Sequence, residues 1–353
     1  MHTRGVLDRR QFLLTGAAMM VSQNKMSFAQ ISDTAPKAQL IDVHHHFVSS
    51  TYKADASARG VAVPGSDWTP EMSLAEMNKS GVAMAMLSQP GQLSGDVQAI
   101  RKLARETNEF GARVVRDHPG RFGLFASLPL PDVEGSLKEI EYTLDTLGAD
   151  GISLLTSYAD KRPGDPAFAP VFQELNRRKA VVHFHPTSPS CCSGLIPSVA
   201  DPVIEWPHDT TRAVVSLLVT GTMLNCREIR FIFSHAGGTL PMLAGRISLA
   251  SRISNANASK STINQYMPAN FAPQGVEFEL QRLYYDIAAS TSPAAMAALL
   301  KLIPTSQILF GSDFPFVPIS STSLGLTELA LPASATAAIQ HGNAMNLFRR
   351  LNL

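Results

Sequence analysis

Along the chain, short runs of apolar, β-branched and aromatic residues alternate with longer stretches whose apolar positions return every third or fourth residue. The first pattern is that of strands buried on both faces, the second that of helices packed by one face. Strands are predicted at Gln39–Phe47, Val82–Gln89, Arg121–Leu130, Ala149–Thr156, Ala180–Thr187, Glu228–Gly237, Leu283–Ser290 and Gln307–Phe314. Helices are predicted at Ser73–Ser80, Val97–Asp117, Val133–Leu147, Phe168–Lys179, Thr210–Leu224 and Pro293–Leu302. Leu240–Arg282 has room for a helix and an irregular piece, and Ser49–Thr69 reads as a long loop after the first strand. Repeated strand–helix units of this size, within the ~250 residues or more of such barrels, point to the α/β class and a (β/α)8 TIM barrel. An open doubly wound sheet is the alternative, but no G-x-G-x-x-G follows the first strand. Residues 31–353 are expected to form this one domain.

The first thirty residues do not fit that pattern. Arg4, Arg9 and Arg10 precede an apolar stretch from Phe12 to Val21, and Ser27-Phe28-Ala29 offers a small-x-small cleavage site. This is the layout of an export signal, and the stretch is far too short to span the ~30 Å of a bilayer core. Arg9-Arg10-Gln11-Phe12-Leu13 resembles a twin-arginine signal, with an ordinary secretory signal as the alternative. The mature chain is then expected to be periplasmic or exported, without a membrane anchor, or cytoplasmic if the signal is unused.

Composition narrows the function. Hydrophobic residues make up 45% and charged residues 17%, enough apolar material for a large core and too little charge for wholesale disorder. The 30 basic and 29 acidic residues leave a formal charge of +1, and no basic stripe offers a nucleic acid its footprint. Three cysteines are too few for a disulfide scaffold. The ten histidines are more telling, because several fall in clusters.

In a barrel of this kind the reactive groups sit at the C-terminal ends of the strands. The first strand ends in Ile41-Asp42-Val43-His44-His45-His46-Phe47, where alternation puts His44 and His46 on one face and His45 on the other. The fifth ends in His183-Phe184-His185-Pro186, the sixth in Ser234-His235-Ala236-Gly237-Gly238, and the eighth in Gly311-Ser312-Asp313-Phe314-Pro315. An ionised Asp313 after an apolar run is costly unless it is paired or metal-bound. Each residue alone also suits a structural role, as a hydrogen-bonded core histidine or a helix-capping Asp. Together they specify a candidate metal centre with His44, His46, His185 and Asp313 as ligands. Three imidazoles and one carboxylate suit Zn2+, with Mn2+ as the alternative. His235 is left as a general acid or base. His183, a layer deeper, reads as a supporting or core residue, and Asp286 either orients a ligand histidine or is structural.

The motifs IDVHHHF, HFHP, FSHAGGTLP and GSDFPF, in this order between Leu40 and Leu351, resemble the amidohydrolase superfamily. Within it they are most similar to the branch of 2-amino-3-carboxymuconate-6-semialdehyde decarboxylase. The resemblance implies the same ligands, His44, His46, His185 and Asp313, and gives His235 to acid/base catalysis. It implies that Arg246 reaches the substrate carboxylate of a neighbouring subunit, and hence a homodimer. The fourth strand, Asp150-Gly151-Ile152-Ser153-Leu154-Leu155, has no lysine of the kind carbamylated in dinuclear members, which favours one metal. The stretch from Cys191 to Met223 resembles the 6-methylsalicylate decarboxylase type. Glu205 and Arg212 in that stretch either bind substrate or pair with each other at a helix start. Cys191 and Cys192 are expected to give an apolar lining to the pocket.

The expected reaction is non-oxidative decarboxylation of a small aromatic acid such as an ortho-hydroxybenzoate, with Asp313 as a candidate proton donor assisted by His235. Hydrolysis of a lactone or amide at the same centre is the alternative, and an exported binding protein without catalysis is a third reading. The intact set of ligands together with His235 argues against the third, since a binding protein needs no base.

Overall fold

The computed structural model describes residues 40–256 and 266–348. The export signal read in residues 1–30 and the linker after it lie outside the described residues.

Eight strands run parallel in the order β1 to β8. They are β1 Leu40–His46, β2 Val82–Ser88, β3 Phe122–Ser127, β4 Gly151–Leu155, β5 Val181–His185, β6 Arg230–Phe233, β7 Tyr284–Asp286 and β8 Ile308–Leu309. The segment after β8 continues alongside β1, with Val43 N donating to Phe310 O and His46 N to Phe314 O, so the sheet comes round on itself. This is the (β/α)8 barrel that the alternating pattern predicts.

Three helices pack around the first strands: α1 Ser50–Ala58, α2 Pro70–Ser80 and α3 Val97–Asp117. The order continues with α4 Val133–Glu141, α5 Ala169–Arg177, α6 Asp201–Val219, α7 Thr222–Asn225 and α8 Leu240–Ala256. Sequence chemistry sets several ends. In α2, Thr69 caps the N-terminus, Pro70 occupies the first turn, and Gly81 closes the C-terminus at φ 72. In α3 the Asp96 carboxylate accepts from Ala99 N, and Leu103, Ala104, Thr107, Asn108, Gly111 and Val114 make the buried stripe.

Two expectations are corrected. Ser49–Thr69 is not all loop: Ser49 caps α1, whose buried residues are only Tyr52 and Ala56, too thin a stripe to read as a helix. The helix expected from Thr210 begins at Asp201 and carries Pro207 inside it. A proline there normally ends a helix, because it leaves the carbonyl four residues back, at Val203, without its N–H donor. Val203 lies on an exposed part of the helix, and the Pro207 carbonyl itself accepts from Thr239 N and Thr211 Oγ1, which ties the helix to the turn after β6.

The barrel interior holds Ile41, Val43, Met84, Met86, Phe125, Val181, Ile232 and Leu309, closed at one end by Ala344 and Leu347 of the helix Asn343–Leu347 and by Phe348 just after it. The β1–β2 register shifts between Asp42 and His45. Such a bulge re-aims side chains. Val43 thus belongs to the apolar interior while His44 and His46 also face inward, each within ring contact of His185.

Candidate active site

The C-terminal ends of β1, β5, β6 and β7 and the turn after β8 bring together nearly all the residues that the strand-end reading singles out. Donor atoms of His44, His46, His185 and Asp313 lie within 4.8 Å of one another. His44 Nε2 is 3.0 Å from His46 Nε2, and Asp313 Oδ1 is 3.0 Å from His46 Nε2 and 3.4 Å from His44 Nε2. Two imidazole nitrogens facing each other at that distance cannot both carry protons. One proton or one metal cation between them satisfies the pair.

The opposite ring nitrogens are all engaged. His44 Nδ1 lies 3.1 Å from Asp286 Oδ2, His46 Nδ1 donates to Ser88 O at 3.1 Å, and His185 Nδ1 donates to Pro186 O at 2.8 Å. With Nδ1 protonated, each Nε2 presents its lone pair to the common point, the usual outer support of a metal-binding histidine. His185 Nε2 is buried and has no hydrogen-bond partner within the protein. An orphaned buried acceptor among three convergent donors fits a metal ion.

Charge follows the same logic. Burial works against a charged His44, but Asp286 and Asp313 outweigh it and raise its pKa to about 10. Burial lowers His46, with the charge on His44 adding to the effect, and it pushes His185 well down. Burial also drives His183 down to about 4. Desolvation opposes ionisation of Asp286 and Asp313, yet the charge on His44 and the histidine hydrogen bonds hold both carboxyls well below their usual range. The site thus holds two buried carboxylates that demand positive charge, and the pair holds His44 in its protonated form.

Asp286 therefore orients His44. It also accepts from the backbone N–H of His235 and Ala288 and lies 3.3 Å from His183 Nε2, whose ring stacks on Phe125. His44, His235 and Asp286 form a second grouping of donors, but these contacts already occupy the Asp286 oxygens. An Asp286→Asn protein is expected to lose about 10–100-fold in metal affinity, read by competition with a chelator. An unchanged affinity would show that His44 is held by other contacts.

A parallel network fixes the other side of the centre. The Asp42 carboxylate accepts from Ser312 N, Ser312 Oγ and His44 N and lies 2.9 Å from His45 Nδ1. His45 Nε2 reaches Ser73 Oγ, which also accepts from Trp68 Nε1. His45 thus faces away from the centre, towards α2, as alternation predicts. Asp313 N and Ser312 N donate to His44 O, so the ends of β1 and β8 are tied together beside the ligands.

His235 projects at the cavity side. Its Nδ1 donates to Ala288 O at 3.0 Å, and its Nε2 stands 4.0 Å from Asp313 Oδ2. Both His235 and Asp313 adopt left-handed backbone, at φ 54 and 69, a conformation that few side chains take and that clusters at functional sites. Gly238 is needed nearby at φ 67, because a Cβ there would run into the Pro207 carbonyl of α6.

Above the centre opens a cavity of about 740 Å3, with His235 and Asp313 in its lining. Trp206 and Phe316 form part of its wall, their rings 5.6 Å from His185 and 5.4 Å from His46. Neither was singled out from the sequence. Phe316 could have been found from its place directly after the GSDFP turn, whereas Trp206 gives no local signal. Glu205 and Arg212 do not line this cavity. Arg212 Nη1 lies 3.7 Å from Asp209 Oδ1 instead of pairing with Glu205, because one helical turn sets Asp209 and Arg212 side by side. Arg246 is exposed on α8, outside the cavity of its own chain. The expected lining by Cys191 and Cys192 is also corrected: the two form a disulfide with each other on the loop after β5 and do not line the cavity.

A barrel with its reactive groups at the strand ends and a His3Asp centre defines the metal-dependent amidohydrolase class. Residues 41–350 match the family profile described as amidohydrolase, and the chain belongs to that family. It is 37% identical over 336 residues to decarboxylase yanB of Aspergillus niger, covering 89% of this chain and 88% of that protein. It is 34% identical over 330 residues to the 6-methylsalicylic acid decarboxylase acuB of Aspergillus aculeatus, covering 88% and 96%. Among solved structures, a dihydroxybenzoic acid decarboxylase from Polaromonas with bound manganese and 2-nitroresorcinol superposes with a TM-score of 0.73 at 22% identity, covering 89% of this chain and 97% of that one.

Proposed function

We propose that the protein is a metal-dependent, non-oxidative decarboxylase of a small aromatic acid of the ortho-hydroxybenzoate kind. The observation that carries this reading is a convergent His3Asp donor set under a largely apolar cavity, in a chain more than a third identical over 336 residues to a protein named a decarboxylase. His44, His46, His185 and Asp313 would hold the ion. The donor set favours zinc, and the manganese in the Polaromonas relative makes that ion the alternative.

When bound, the ion supplies a Lewis-acid centre able to hold a carboxylate and an adjacent oxygen and to offset developing charge. The chain's own residues then have to deliver a proton. Decarboxylation breaks the bond between ring and carboxylate and forms a ring C–H bond, so one proton is consumed for each CO2 released. Asp313 is held as a carboxylate, so any proton it passes to the ring carbon must first reach it. His235 is the titratable group at the cavity side with a nitrogen facing Asp313. Its Nδ1 is committed to Ala288 O, which leaves Nε2 to carry and release the proton. The Trp206 and Phe316 rings flank the position where an aromatic acid would lie.

Incubating the metal-loaded protein with hydroxybenzoates and, separately, with lactones tests the reading. The expected result is CO2 release from the acids and no acid production from the lactones. The reverse outcome would make the protein a hydrolase.

Three further features belong to the same proposal. Arg246, exposed on α8, reaches the substrate carboxylate in a neighbouring subunit's site, so the enzyme is a homodimer. Residues 1–30 are a twin-arginine export signal, and residues 31–353 are the exported barrel domain. Among the described residues no helix is long and apolar enough to cross a membrane. Purification from the producing cells tests all three: the expected particle has twice the mass of the mature chain, contains zinc, and lacks the signal, its first residue lying just past the Ser27-Phe28-Ala29 site. A monomer starting at Met1 would overturn the dimer and export readings.

A further inference from the structure

The cavity is too large and too apolar for a bare ring. Its volume is about 740 Å3. Allowing each non-hydrogen atom even the ~30 Å3 of a liquid water molecule, the about ten such atoms of an unsubstituted hydroxybenzoate take up roughly 300 Å3. The whole lies in the ~300–1,000 Å3 range that encloses drug-sized ligands. Within one chain, the remainder is left to water against largely apolar walls, at a cost in free energy.

The walls have a direction. Trp206 and Phe316 stand beside the imidazoles of His185 and His46, at the inner end. From Trp206, one turn back along α6 leads to Val203, which also lines the cavity and is 66% exposed, so it marks the mouth. Val63 and Pro64, from the segment after α1, line the cavity as well. Among the described residues no lysine or arginine of this chain lines it, and its polar side chains away from His235 and Asp313 are the neutral Gln92, Thr187, Ser188 and Ser290 with Tyr52, so these walls carry no fixed positive charge for an anionic substituent.

Resting on the decarboxylase reading, we propose that the substrate is an aromatic acid bearing an extended, uncharged apolar substituent of several carbons. Its ring sits between Trp206 and Phe316, and the substituent runs outward along Val63, Pro64 and Val203. Alkyl length, more than ring hydroxylation, sets its selectivity.

The test is a series of ortho-hydroxybenzoates carrying ring alkyl groups from hydrogen through methyl to heptyl, with ω-carboxylated chains of matching length. With metal-loaded protein, kcat/KM is expected to rise about fourfold per methylene until the cavity is filled. The carboxylated chains should lose that gain. Val203→Asp, a change at an exposed helix position, should flatten the rise at the long-chain end. Calorimetric Kd values for the matching alkylphenols, the decarboxylated products, read chain recognition without turnover and should tighten in the same order. CO2 release with flat kcat/KM and flat Kd series would overturn this inference alone. A tightening Kd series with no CO2 from any acid would overturn the decarboxylase reading and leave the apolar channel standing.

Discussion

Asp313→Asn is expected to fold normally, to bind its metal weakly, and to release CO2 at least about a thousandfold more slowly than the parent. The fold should survive because asparagine has nearly the same shape and tolerates left-handed backbone better than most residues, and Asp313 sits at φ 69. The backbone bond from residue 313 to His44 O is also untouched. What disappears is charge. The Asp313 carboxylate faces His44 and His46 at 3.4 and 3.0 Å and is one of two buried anions that make the centre attract a cation. An amide can neither balance that cation nor pass a proton to the ring. CO2 release, metal content after dialysis and near-ultraviolet circular dichroism together check the prediction. A variant with full metal and near-parental turnover would remove Asp313 from both roles.

His235→Ala separates chemistry from metal binding. His235 faces Asp313 across 4.0 Å and lies outside the His44–His46–His185–Asp313 donor set. Its loss should therefore leave metal content unchanged while kcat falls by about 10²–10⁴, the usual contribution of a positioned acid or base. Since Nδ1 is already bonded to Ala288 O, a His235→Gln variant can replace one contact but cannot cycle a proton, and it is expected to be nearly as slow. Metal loss in His235→Ala would mean that the residue supports the centre. Unchanged turnover would mean that another group delivers the proton.

Much of this was written in local pattern. The first and fifth strands end at His46 and His185 as the apolar runs suggest, whereas the sixth and eighth end earlier than read, at Phe233 and Leu309, and His235 and Asp313 sit in the turns that follow, on the same face of the barrel. The facing of His44 and His46 followed from alternation, although the bulge in β1 that keeps Val43 inside as well did not. The helix at Ser50–Ala58 was hidden because it buries only two side chains. The start of α6 was hidden because Pro207 reads as a stop in sequence, and only the structure shows the helix running through it, held to the turn after β6 by the bonds of the Pro207 carbonyl to Thr239 and Thr211. The reach of Arg212 to Asp209, and the bond between Cys191 and Cys192, are likewise matters of side-chain placement.

By itself, the sequence determined the barrel, the face that carries the chemistry and the four residues with ligand atoms to offer, since strand period and residue type are local properties. Only the tertiary structure decided that Asp286 holds His44, that backbone carbonyls at Ser88 and Pro186 turn His46 and His185 towards one point, and that Trp206 and Phe316 wall the cavity above it. Those contacts join residues far apart in the chain, and their energies arise only where the closed barrel brings buried charge and unpaired nitrogen together.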